Sequence, residues 1–194
     1  EIKGQNKEMA SDEENWYQHQ TKALLELGKY QECVEVSSLA IEKLHNFHYN
    51  NDLWFARRIA LSKKALGDMQ GAIDGLEKIF RKKKEWFIKK ELAELYFEIG
   101  DIQKSFEYAL EAINMNGFGK IEMKIGIISL IAKILKTKNQ NDLAYKHFLV
   151  VKTIKEQNSW KVSDNDMVEL NSIAVQSTDL DTSKLLSELK TYWR

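Results

Sequence analysis

Four short turns govern what this chain can fold into: Leu27-Gly28-Lys29-Tyr30, Leu66-Gly67-Asp68-Met69, Ile99-Gly100-Asp101-Ile102 and Lys138-Asn139-Gln140-Asn141. Each separates two apolar stretches of helical period. Around the first turn, Trp16, Leu24, Leu27, Val34, Leu39, Ile41 and Leu44 recur at three- and four-residue steps. Gly or Asn just past a helix is the residue type that turns the chain through the left-handed conformation at least cost. The 194 residues contain no Pro, the residue most damaging to helices. The pattern predicts an all-α chain of helix–turn–helix units, repeating at turn positions 28, 67, 100 and 139.

A helix–turn–helix period of about 34 residues resembles the tetratricopeptide repeat. The two longer intervals place about five extra residues each in an inter-repeat connection. On the first helix the family wants a large–small pair, matched by Ile59-Ala60, Leu92-Ala93 and Ile131-Ala132, while the first repeat has Gln20-Thr21 instead. On the second helix it wants a small, a bulky and a small residue. Those places hold Cys33, Ser37 and Ala40; Ala72, Leu76 and Ile79; Ser105, Ala109 and Ala112; and Ala144, Phe148 and Val151. Small residues let the helices of a hairpin approach, and bulky ones fill the groove to the next hairpin. The family's closing Pro is replaced by His45, Lys84, Gly117 and Glu156.

The resemblance implies a right-handed α-α superhelix, a solenoid of about four hairpins over residues 14–158. Residues 1–13 then form a polar extension, and 159–194 a capping helix pair. The first capping helix is opened by Ser163-Asp164-Asn165-Asp166 and runs over Met167–Gln176; the second is capped by Asp181-Thr182 and runs over Leu185–Trp193. The segments Asp52-Leu53-Trp54-Phe55, Lys84-Glu85-Trp86-Phe87 and His147-Phe148 also resemble a group of prokaryotic repeat proteins found beside cold-shock-type nucleic-acid-binding domains.

Catalytic signatures are missing from the sequence. His19, His45, His48 and His147 form no metal-binding helical pair of the H-E-x-x-H kind, and Gly117-Phe118-Gly119-Lys120 lacks the spacing of a phosphate loop. Cys33 sits in a small-residue slot and reads as a buried thiol. We therefore expect no enzyme, no metal and no cofactor. A lone Cys and the lack of any 18-residue apolar run point to a cytoplasmic protein that does not enter membranes.

Binding is the remaining class. The resemblance puts the first helix of each hairpin on the concave groove, so partner-contacting candidates are Trp54, Arg57, Arg58 and Leu61 in the second repeat and Phe87, Lys90 and Phe97 in the third. Aromatic anchors with cations suit an acidic or aromatic protein segment; the same spacing also allows Trp54 and Phe87 to pack between repeats. The clamp that chaperone-binding members use for a peptide's terminal carboxylate is not matched: its places hold Gln18, Lys22, Arg58, Phe87 and Glu91. Residues 57–90 carry 11 basic and 4 acidic groups. Their run Arg81-Lys82-Lys83-Lys84 next to Trp86-Phe87 is the footprint of a phosphate contact with base stacking, which makes RNA or single-stranded nucleic acid the alternative partner. A short signalling peptide is a third.

Overall fold

The computed structural model describes residues 9–115, 120–173 and 182–194. Among these lie ten α-helices: α1 (Asp12–Glu26), α2 (Tyr30–Lys43), α3 (Asn51–Ala65), α4 (Met69–Lys82), α5 (Trp86–Glu98), α6 (Ile102–Asn114), α7 (Ile125–Thr137), α8 (Asn141–Gln157), α9 (Asp164–Asn171) and α10 (Thr182–Tyr192). No strand occurs among the described residues. The chain divides into two compact units, residues 1–83 and 84–194. The first contains the hairpins α1–α2 and α3–α4, with α1 also packed on α3. The second contains α5–α6 and α7–α8, with α5 touching α7 and both α9 and α10 packed on α8.

The four turns do what their residue types dictate. Gly28, Gly67, Gly100 and Asn139 all have positive φ, between 58° and 89°. In two of them the next residue starts the following helix: the Asp68 carboxylate accepts from Gly71 N–H and the Asp101 carboxylate from Lys104 N–H. A Gly-Asp pair thus ends one helix and caps the next. Asp68→Ala and Asp101→Ala are each expected to lose about 1 kcal/mol, read as a lower urea midpoint at unchanged slope; no change in midpoint would show that these caps contribute nothing.

All twelve small and bulky slots predicted on the second helices are buried. The close approach is visible in atoms: a Cβ placed on Gly75 would lie 3.3 Å from the Ala60 Cβ, so α4 meets α3 there almost backbone to backbone. Where the slot residue carries a donor, it bonds back across its hairpin. Ser105 Oγ donates to Ala93 O at 2.8 Å, and Cys33 Sγ donates to Thr21 O at 3.4 Å, the same pair of positions twelve residues apart.

The extra residues fall where the turn spacing puts them, in the connections from α2 to α3 (44–50) and from α6 to α7 (115–124), against 83–85 between α4 and α5. Gly117, at a closing-Pro place, lies outside the described residues. Ser163 opens α9 with a full capping box: its Oγ accepts from Asp166 N–H, and Asp166 accepts from Ser163 N–H. That cap starts α9 at Asp164, earlier than the apolar pattern suggests, and the helix closes at Asn171; Asp181, the expected cap of α10, lies outside the described residues. Ser159, at φ 57°, adds a left-handed turn after α8 at a residue type that does not announce one.

A buried polar pair joins the end of α10 to α8, beside the exposed ion pair of Lys146 with Glu188. His147 is fully buried on α8, with its Nδ1 2.7 Å from Leu143 O and its Nε2 2.9 Å from the Trp193 indole nitrogen. An indole N–H only donates, so Nε2 must be the acceptor and Nδ1 carries the proton. The ring is neutral. Burial pushes its pKa down to about 4, although the bond to Leu143 favours the charged form.

Candidate functional site

On α3 the side chains Trp54, Arg57 and Leu61 are half-buried and lie on one stripe at i, i+3 and i+7. The Arg57 guanidinium sits 5.6 Å from the centroid of the Trp54 ring, a cation–π arrangement that makes one flat apolar and cationic platform. Arg58 behaves differently. Only 6% of it is exposed, its Nη1 donates to Thr21 Oγ1 at 3.0 Å, and the guanidinium lies 5.9 Å from the Phe55 ring. Burial is the main influence that lowers the guanidinium's pKa. Arg58 thus ties α3 to α1 from beneath the platform. The Thr in the first repeat's irregular Gln20-Thr21 pair has this use: its hydroxyl accepts from Arg58 while donating to Tyr17 O at 2.7 Å.

In the second unit, Phe87, Lys90 and Phe97 are half-buried on α5. Phe87 meets Trp86 edge-on at 5.9 Å, and Phe97 packs against the unit's core. Lys90 is ion-paired with Glu94, one turn on, and its stem crosses Gly126 of α7, where a Cβ would come 2.9 Å from Lys90 Cε. Lys89, which counts towards the basic stretch 57–90, is buried: it is ion-paired with Glu111, and its Nζ lies 3.9 Å from the Tyr108 ring centroid.

The basic run is split by the division between the units. Arg81 and Lys82 close the last turn of α4, where cations complement the helix dipole. Arg81, Lys82 and Lys84 are exposed and Lys83 is half-buried.

Two features of the first unit were not foreseen. Glu14 is 1% exposed, and its carboxylate accepts three hydrogen bonds at 2.7 Å, from His48 N–H, His48 Nδ1–H and Asn51 Nδ2. Burial works to raise its pKa, but these donors win and hold it below the ordinary carboxylate value. The network pins the 44–50 connection onto α1. In that connection Tyr49 and Asn50 have φ of 51° and 62°, an unfavourable conformation for non-Gly residues that something must hold in place. The second feature is a cavity of about 500 Å³ bordered by α2, the pinned connection, α3 and α4. The only sequence signal for either was the longer first interval between turns. Among the described residues no three His, Cys, Asp or Glu side chains converge as a metal site would require.

Neither a family model nor a curated protein matches this sequence. Solved structures match its fold. The nearly identical tetratricopeptide-like repeats of a kinesin light chain from Podosopora anserina superpose with a TM-score of 0.60 at 16% identity, covering 91% of this chain and 88% of that one. MamA RS-1, in a double-mutant form, gives 0.64 at 12% identity over 94% of this chain and 93% of that one. The C-terminal part of a repeat-containing protein from Cytophaga hutchinsonii gives 0.57 at 13% identity, covering 90% of this chain and 60% of that one. At such identities the likeness is one of fold, and the fold of this chain is that of tetratricopeptide-type helical hairpins.

Proposed function

We propose that this chain is a non-enzymatic protein-interaction scaffold that holds a partner's acidic or aromatic segment along the outward faces of its first helices. The observation that carries this reading is the α3 stripe, in which Arg57 lies over Trp54 with Leu61 one turn beyond. An aromatic ring and a stacked guanidinium are the side-chain types on which binding energy concentrates, and Leu61 extends the apolar area beside them. Phe87, Lys90 and Phe97 offer the same chemistry on α5. Cys33, buried as a donor to a backbone carbonyl, suits a reducing compartment such as the cytoplasm.

The exposed Arg81, Lys82 and Lys84 keep nucleic acid as the second reading, although Arg58 and Lys89 are engaged inside their own units. Recovery of bound partners from the native cell, with and without nuclease and across a salt series, separates the two. A protein partner held on the α3 stripe resists nuclease and changes little with salt, and Trp54→Ala with Leu61→Ala reduces its recovery by roughly tenfold or more. Recovery that survives this double variant, or that nuclease removes, contradicts the scaffold reading. In the nucleic-acid case binding falls steeply with salt and with reversal of Arg81–Lys84.

A further inference from the structure

The cavity in the first unit lies on the other side of α3. With about 100° between successive helical residues, the stripe of Leu53, Ala56 and Ile59 that lines it is centred roughly 130° around α3 from the centre of the Trp54, Arg57 and Leu61 stripe. Ile41 of α2 and Ile79 of α4 add apolar wall, and Phe47 closes it from the 44–50 connection. A repeat of the regular period has no such connection. Here it is bent through two left-handed residues and fastened by two hydrogen bonds from His48 to a buried carboxylate, which Asn51 at the start of α3 also contacts, so Phe47 is held where it stands. At about 500 Å³ and partly open to solvent, the space has the size of a cleft that holds a small organic ligand.

Its polar groups have one dominant sign. Lys78 and Lys82, both exposed and one turn apart on α4, stand in the lining with Lys83, against the single carboxylate of Asp52. Apolar walls with adjacent ammonium groups complement a molecule that has an aliphatic or aromatic body and an anionic head.

We propose that this cavity is a binding site for a small amphiphilic carboxylate, its apolar body against Phe47, Ala56 and Ile59 and its carboxylate at Lys78 and Lys82. The site is distinct from the α3 stripe of the scaffold reading, and either can fail without the other.

The test is titration calorimetry of the whole chain with octanoate, and with octylammonium as a probe of equal chain and opposite charge. Octanoate is expected to bind one saturable site, and octylammonium roughly tenfold or more weaker. Lys78→Glu with Lys82→Glu, at exposed positions and with the melting curve checked against the parent, reverses that preference. Ala56→Trp fills the cavity and abolishes octanoate binding, with its melting curve checked against the parent. Trp54→Ala, on the opposite face, leaves octanoate binding unchanged. The proposal is overturned if octanoate gives no saturable heat, if both probes bind alike, or if the charge reversal leaves octanoate binding as it was.

Discussion

Trp193→Ala is expected to destabilise the second unit by about 4 kcal/mol, the range for truncating a buried aromatic. The indole is buried in the core of that unit together with Leu185 and Leu189, so the substitution removes packing area and detaches the end of α10 from α8. It also takes away the donor to His147 Nε2 and leaves a buried acceptor without a partner. Trp193→Phe separates the two losses: most packing stays while the N–H goes, and the expected loss falls to about 1–2 kcal/mol.

The same pair makes stability depend on pH in a calculable direction. His147 takes up its proton near pH 4 in the folded chain, against 6.5 as its ordinary value. Between those values the unfolded chain binds more protons than the folded one, so stability falls as pH drops from 6.5 towards 4, by about 3 kcal/mol in all, and this group adds no further loss below that. In Trp193→Ala the opened site lets His147 titrate closer to its ordinary value, and that stretch of the stability–pH curve flattens. Urea midpoints measured across the window check both. A Trp193→Ala midpoint equal to the parent's, or a parent curve flat from pH 6.5 to 4, contradicts this reading of the pair.

Glu14→Ala is expected to lose about 3 kcal/mol in the first unit, because it leaves the His48 N–H, the His48 ring and the Asn51 amide facing a buried site with no acceptor. Glu14→Gln recovers part of this through its remaining carbonyl oxygen, but its NH2 opposes the donors. Because the folded carboxylate titrates below its ordinary value, this stabilisation is complete above that value and is lost as pH falls through the folded one. The substitution also releases the 44–50 connection. Octanoate binding should therefore weaken in Glu14→Ala even though no residue lining the cavity is changed. Retention of both stability and octanoate affinity would show that the network fastens nothing.

What the sequence made legible follows from how local each requirement is. Gly28, Gly67, Gly100 and Asn139 could be found because a left-handed residue after a helix restricts the residue type at one position. The twelve slots could be found because close helix approach limits side-chain size wherever it occurs. Glu14 could not, because it stands in Asp12-Glu13-Glu14, where three acids in a first helical turn look like ordinary complements of the helix dipole. Its real partners come from residues 48 and 51, and no local rule connects them. Arg58 marks the limit of helical phase as a guide. It sits at the edge of the outward stripe, and its length lets the head turn inward to Thr21, so burial depended on a hydroxyl 37 positions away. The cavity depends on a longer connection whose length was readable and whose path was not.

The most direct test of the scaffold reading is to install a photo-crosslinking phenylalanine derivative at Leu61 and irradiate it in the native cell. The stripe on α3 predicts discrete protein adducts that withstand nuclease and that disappear when Trp54→Ala is added. Irradiation that yields no adduct, or adducts only with nucleic acid, would contradict a protein partner on that face.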